Sequence, residues 1–360
     1  MKTAIFHSFM DNIGGAERVC LILARELGAD IYTTNIDRDK VRRMGFPDVK
    51  ILSIGEVPVN APFRHQLALW RFRGLDLGNT YDRYIIGGDW AVSAAVNHHP
   101  NLWYVHSPIR EIWDLYPYTR KKTVPASLRG CFDVWVHTNR ILTRAYIRQV
   151  DRMVCNSRNT QNRIRTYLSR DAEIVHPPVE TREFRYGRNG NFWLSVNRLI
   201  SHKRVDLQIR AFQRMPEQKL VIVGSYEQSR HFRSYADYIR SIKPANVSVF
   251  SWVHQEDLLK LYADCRGFLA TALDEDFGLT PVEAMAAGKP VIAPADGGFR
   301  ETVLDGVTGR LLDRMDEDSL LAAVRFVGQD PGKYRPACED RARAFDTKIF
   351  VSRIKTLMGH

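Results

Sequence analysis

Leu273-Asp274-Glu275-Asp276-Phe277-Gly278-Leu279-Thr280-Pro281-Val282-Glu283-Ala284-Met285-Ala286-Ala287-Gly288-Lys289-Pro290 reads as the joint of a strand–helix–strand unit. An apolar run, Gly267–Ala270, comes before it, and a second, Pro290–Ala293, comes after it. Pro281 suits a helix's first turn, because the N–H it lacks is one that a helix start leaves unpaired anyway. Strand, helix and strand in that order is the α/β pattern of a parallel sheet.

The same alternation extends outward through most of the chain. Upstream, Phe192–Val196, Leu220–Gly224 and Val247–Phe250 read as strands, with a helix starting at Val205. In the first half, Thr3–Phe6, Asp30–Thr33, Val49–Leu52, Tyr84–Ile86, Leu102–Val105 and Arg152–Cys155 read as strands. Ala16, Val19, Leu23 and Leu27 line one face of a helix after the turn Gly14–Gly15, and Leu128–Val150 reads as a long, well-buried helix. Between the halves, His176-Pro177-Pro178 through Gly187 and Gly190 has linker chemistry. A chain of 360 residues exceeds what one core usually supports. The expectation is therefore two Rossmann-like domains, 1–178 and 179–360, facing across a cleft. The last helix, near Thr347–Met358, is left free to pack back on the first domain.

Composition narrows the class. Hydrophobic residues are 44% and charged residues 26%, ordinary for a soluble globular chain. No run is long and apolar enough to span a bilayer, and MKTAIFHSF lacks a signal peptide's layout. The five cysteines are scattered and form no C-x-x-C pair, which favours a reducing cytoplasm over a zinc or disulfide framework. The net charge of +11 suits an anionic partner or simply a solvated basic surface. No helix-turn-helix, RNP or zinc-finger signature accompanies it, so nucleic-acid binding lacks a motif.

Four segments carry chemistry. Glu275 and Glu283 bracket a helix N-terminus whose free N–H groups suit a phosphate. One glutamate can read a hexose and the other a ribose; two glutamates merely stabilising the helix dipole would contribute tenths of a kcal/mol each. Val196-Asn197-Arg198-Leu199-Ile200-Ser201-His202-Lys203-Arg204-Val205-Asp206 ends a strand and brings Arg198 and Lys203 to the turn that follows. Two fixed cations there would stabilise a departing diphosphate, since its charge grows in the transition state. A solvated basic turn is the plainer alternative. Asn12-Ile13-Gly14-Gly15-Ala16-Glu17-Arg18 lets backbone approach a ligand but is not G-x-G-x-x-G. Tyr104 to Asp114 places His106 just past a strand; a lone histidine in that position is more often structural. Gly224-Ser225 and Gly297-Gly298-Phe299-Arg300-Glu301 are smaller turns of the same kind.

Together these segments resemble the retaining GT-B glycosyltransferases of family four. The family pattern is a glycine pair, a V-G-R-L…K segment, and E-x7-E within F-G-L-x-P-x-E-A-M-A-x-G-x-P-V-I-A; Glu275 to Ala293 matches that signature almost fully. The resemblance runs from Gly14 to about Gly309, with Asn197 a departure where many members carry Gly or Ser. Val105–Tyr118 and Lys203–Asp206 look most like O-antigen-type mannosyltransferases.

The resemblance implies a hexosyltransferase moving α-mannose from GDP-mannose to a glycan or lipid-linked acceptor, with retention. Arg198 and Lys203 would hold the diphosphate, Glu283 the ribose, and Glu275 and His106 the sugar. Gly14, Gly15, Gly224, Asp276, Phe277, Gly278 and Leu279 would complete the donor site, with Arg110, Trp113 and Asp114 on the acceptor. No cofactor is expected beyond the nucleotide sugar. Asp274-Glu275-Asp276 also fits the D-x-D metal motif of the other glycosyltransferase fold, but two cations already supply a metal's charge. Front-face attack and double displacement on a carboxylate both fit. The aromatic and basic stretch Phe63–Arg73, with Arg120-Lys121-Lys122, suits either an anionic inner membrane face or a helix docked on its own domain. A UDP-sugar transferase, a nucleotide-sugar epimerase, a phosphorylase and a non-enzymatic sugar- or nucleic-acid-binding protein remain as alternatives.

Overall fold

The computed structural model describes residues 1–12, 14–59, 63–225, 230–251 and 253–359. Two compact units emerge: Met1–His176 joined by Val351–His360, and Pro177–Phe350. The chain thus leaves the first unit once and returns to it near its end.

In the first unit, seven strands form one parallel sheet. They are β1 (Thr3–Phe6), β2 (Asp30–Thr33), β3 (Ile51–Ser53), β4 (Arg83–Ile86), β5 (Asn101–Val105), β6 (Arg152–Cys155) and β7 (Glu173–Ile174). Their order is β3-β2-β1-β4-β5-β6-β7. The second unit repeats the scheme with β8 (Phe192–Arg198), β9 (Lys219–Ser225), β10 (Val247–Phe250), β11 (Gly267–Leu269), β12 (Val291–Pro294) and β13 (Gly309–Leu312), ordered β10-β9-β8-β11-β12-β13. Each order reverses direction once, between β1 and β4 and between β8 and β11. Ligands of open α/β sheets gather outside the carboxyl ends of the strands at such a reversal.

The strands read as continuous apolar runs because both faces are covered by helices. Ala4, Ile5 and Phe6 are all buried in β1, and Trp193 and Leu194 in β8. Cores of this kind are held by apolar area, about 25 cal/mol for each Å² removed from water. Phe6, stacked on Tyr84 at 5.7 Å, and Tyr262, stacked on Phe268 at 5.9 Å, anchor the two cores.

Two expectations are corrected. The helix Arg129–Ile147 buries only Val136, Asn139, Thr143 and Ile147. Its opposite side leaves Val134 68% and Ile141 55% exposed, so it rides on the surface. The stretch 176–190 is no free linker: the Val179 amide donates to the Phe345 carbonyl at 2.9 Å and the Gly187 amide to the Ala263 carbonyl at 3.0 Å. Phe184 is buried, and the Lys289 ammonium donates to the Arg188 carbonyl. Burying Lys289 pulls its pKa down to about 8, and that carbonyl is its compensating partner.

Candidate active site

In the second unit, β8 and β11 carry their ends to the same reversal point. After β8 the chain turns through Ser201–Lys203, passes Arg204 at φ 54°, and enters the helix Val205–Gln213. That turn presents Lys203 to the loop after β11, where Lys203 Nζ lies 2.5 Å from Glu275 Oε2. Buried bonds fix the two segments to each other. Gln208 Nε2 donates to Thr271 Oγ1 at 2.8 Å, and that hydroxyl donates to the Lys203 carbonyl at 2.8 Å. The Leu273 amide donates to the His202 carbonyl at 3.2 Å.

The Glu275 loop lies flat on a glycine pair. The Gly298 amide donates to the Glu275 carbonyl at 2.8 Å. A Cβ at Gly298 would stand 2.4 Å from Phe277 Cα, and one at Gly297 2.5 Å from the Glu275 carbonyl oxygen. Asp296 clamps both sides, accepting from the Asp274 amide and the Gly297 amide at 2.8 Å each. Gly278, at φ 90°, then opens the helix Leu279–Ala286 beneath the Phe299 ring, where a Cβ would meet a ring carbon at 2.8 Å. Phe277 is buried edge-on against Phe345, while Asp276 and Leu279 are half-buried.

Burial opposes ionisation of Glu275, yet its carboxyl is held below the usual carboxylate range. The charge and hydrogen bond of Lys203 outweigh that cost, with help from His202 and Arg198. Arg198 is solvent-exposed, so the second cation acts on Glu275 from the surface. Glu283 lies one turn further along its helix and accepts from the Tyr262 hydroxyl at 2.7 Å. Gly224 pairs with Asn197 across β9 and β8, and its missing side chain leaves room for Leu199. Asn197 turns its amide onto Ser195 Oγ at 2.6 Å.

In the first unit, Gly14 caps the helix Gly15–Leu27 in an extended conformation. Glu17 folds back so closely that a Cβ at Gly14 would stand 2.4 Å from its Oε2. His106 follows β5 with Nε2 buried and without a hydrogen-bond partner among the described residues. Burial and the neighbouring His7 drive its pKa down to about 3, partly opposed by Glu17. Arg110 and Asp114 form an ion pair at 2.7 Å, and Arg163 approaches Asp114 at 3.7 Å. Trp113 belongs to the core, stacked on Tyr167 at 5.6 Å. Among the described residues, no three His, Cys, Asp or Glu side chains converge as a metal site.

The structure thus brings Lys203 and Glu275 into contact within Arg198's field and keeps Glu283 on the adjoining helix. Residues that sequence reasoning passed over are Asp296, Thr271, Gln208, Tyr262 and His7. His7 alone carried a readable signal, since it follows β1 as His106 follows β5.

Residues 180–345 match the family model described as glycosyl transferases group 1. The alpha-1,3/1,6-mannosyltransferase ALG2 of Dictyostelium discoideum is 25% identical over 235 residues, 53% of this chain and 56% of that protein. The GDP-mannose-dependent alpha-(1-6)-phosphatidylinositol monomannoside mannosyltransferase of Mycolicibacterium smegmatis is 31% identical over 202 residues, 49% of this chain and 52% of that protein. The chain spans about half the length of the curated relatives it matches. Anabaena Alr3699/HepE, solved with UDP-glucose, shares the fold with a TM-score of 0.79 over 99% of both chains at 16% identity. The architecture, two parallel-sheet α/β units, is that of GT-B glycosyltransferases.

Proposed function

We propose that this chain is a retaining glycosyltransferase that moves a hexose from a nucleotide diphosphate sugar to a hydroxyl acceptor. One observation carries the proposal: Lys203, Glu275 and the charge of Arg198 meet where β8 and β11 diverge, ahead of a helix N-terminus. Arg198 and Lys203 are assigned to the diphosphate, which gathers negative charge as the C1–O bond breaks. Hydroxyls of the sugar donate to Glu275, which frees the Lys203 ammonium for a phosphate oxygen. Glu283 is assigned to the ribose. The acceptor oxygen attacks C1 from the face the diphosphate leaves, its proton passes to a phosphate oxygen, and the α configuration is kept. Side-chain cations supply the positive charge, so transfer is expected to persist in excess EDTA.

GDP-mannose is the proposed donor, supported by the mannosyltransferase names of two matched relatives. HepE was solved with UDP-glucose, which makes a UDP-sugar the second reading. For the acceptor we propose a glycan or lipid-linked saccharide at an anionic membrane face. Among the described residues no helix is long and apolar enough to cross a membrane. The first unit exposes Phe63, Trp70 and Val134, and also Arg71, Arg73, Lys121 and Lys122. Such a mixture suits interfacial adsorption, each cation adding about 1 kcal/mol near an anionic surface.

The deciding experiment is a thermal-shift panel of GDP- and UDP-sugars followed by product analysis. Stabilisation by GDP-mannose of wild type, much weakened in Lys203→Ala, is the expected result. Indifference to every nucleotide sugar would remove the proposal.

A further inference from the structure

The two glutamates that bracket the helix Leu279–Ala286 are held in different ways. Glu275 is ion-paired with Lys203. Glu283 has, among the described residues, no cation beside it and one hydrogen-bond partner, the Tyr262 hydroxyl, which donates to Oε2 at 2.7 Å. Tyr262 is the one buried residue of the helix Gln255–Asp264. It is 0% exposed, stacked on Phe268 of β11 at 5.9 Å and met edge-on by Phe184 of the 176–190 stretch at 5.3 Å. A ring wedged in this way cannot swing, so its hydroxyl is delivered to a single place. All four residues belong to the second unit.

A buried tyrosine needs a partner for its hydroxyl, and a backbone carbonyl would serve. Here the partner is a half-buried carboxylate on another helix. Drawing a carboxylate partly out of water without a cation costs free energy that one neutral hydroxyl offsets only in part. Further hydroxyl donors from a ligand would meet the rest. Glu283 also stands about one turn, roughly 5 Å, past the first residue of its helix. A nucleotide whose phosphates meet the amides of that helix start carries its ribose at a similar remove.

Resting on the glycosyl-transfer reading above, we infer that Tyr262 is a positioning residue for the donor nucleotide: it fixes the Glu283 carboxylate as acceptor for the 2′- and 3′-hydroxyls of the ribose, and so makes the site select ribonucleotides over their deoxy forms. A carboxylate can accept from about four directions; Tyr262 takes one and leaves others for a diol. Being neutral, it orients Glu283 without the charge pairing that Lys203 gives Glu275. With its torsions already stopped, Glu283 loses less freedom when the diol arrives. A sugar without those hydroxyls leaves the carboxylate partly desolvated and unmet, which is how a site built for hydrogen bonds rejects an analogue lacking them.

The test is calorimetric binding of GDP, UDP and ADP, each beside its 2′,3′-dideoxy form, to the full chain. Wild type is expected to bind one ribonucleotide at least about tenfold more tightly than its dideoxy form. Tyr262→Phe keeps the ring and removes only the hydroxyl. It should weaken that ribonucleotide about tenfold and shift the dideoxy form by less than about twofold. In a Glu283→Ala background the same change should move neither form by more than about twofold, because the pair acts through one carboxylate. A tyrosine that only fills the core would give a lower Tm with both forms weakened alike, or no change in either, and each of these results overturns the inference. Wild type that binds both sugar forms equally overturns it too. Failure of wild type to bind any of the three nucleotides would remove the glycosyl-transfer reading and this inference with it. Ribonucleotide binding indifferent to Tyr262→Phe would remove this inference alone.

Discussion

Lys203 and Glu275 are 72 residues apart in sequence and meet at 2.5 Å, because two strand ends of one sheet share a reversal point. Glu275→Gln keeps the shape and removes the charge, and Lys203→Ala removes a cation from the proposed leaving group. Each is expected to lower kcat about 10²–10³-fold, with donor KM changed less; near-normal turnover in both would refute the assignment. Gly298→Ala tests the scaffold, because its Cβ would strike the Phe277 backbone at 2.4 Å. Overpacking of that kind costs about 1–3 kcal/mol, read as a lower Tm, and should displace Glu275 as well. The glutamate pair and the two cations stood out in sequence because Arg198 ends a strand, Lys203 lies in the turn after it, and Glu275 and Glu283 bracket the start of the helix that follows β11. Asp296, Thr271 and Tyr262 were not, since nothing local says which distant amide, carbonyl or carboxylate a polar side chain will find. His7 had the positional signal and lacked only a visible partner.

At the scale of elements, most strands were legible because doubly covered strands are apolar runs, and β2, β6 and β10 have the bounds their sequence suggests. The helix Arg129–Ile147 was misjudged on burial. Apolar residues occur on both its sides, and only tertiary packing chose the stripe Val136, Asn139, Thr143 and Ile147. The stretch 176–190 misled for the converse reason: its prolines and glycines mark a chain that bends, which a packed segment does as readily as a loose one. If the exposed side of that helix meets lipid, Val134→Asp with Ile141→Asp should weaken co-sedimentation with anionic vesicles. Folding stability should stay within about 0.5 kcal/mol, because neither side chain is in the core. Undiminished vesicle binding by the double variant would clear the helix of that role.

For the molecule as a whole, the histidines set an optimum of stability near neutral pH. Burial lowers the pKa of His65 to about 4 and of His106 to about 3, and lowers that of His98 as well. Below about pH 6.5 the unfolded chain takes up protons that these folded imidazoles refuse, so stability falls, at most about 1.4 kcal/mol per pH unit for each. His7 is shifted upward, so its contribution is complete below about pH 6.5 and declines as the pH rises toward its folded value. Carboxylates held low, Glu275 among them, stay ionised in both states over this window. Tm measured from about pH 8 to about pH 5 should therefore peak near neutrality. His106→Asn should make the acid limb shallower, since His65 and His98 still contribute, and a flat profile in wild type would contradict the burial of these rings.

Residues 351–360 complete the first unit: Arg152 donates to the Leu357 carbonyl at 2.7 Å, Arg83 to the Gly359 carbonyl at 3.4 Å, and Arg353 pairs with Glu173. A ribosome delivers these residues after everything else described here, at roughly 5–20 residues per second. The second unit, contiguous in the chain, can therefore finish folding while the nascent first unit still lacks its closing segment, and the half that is translated first matures last.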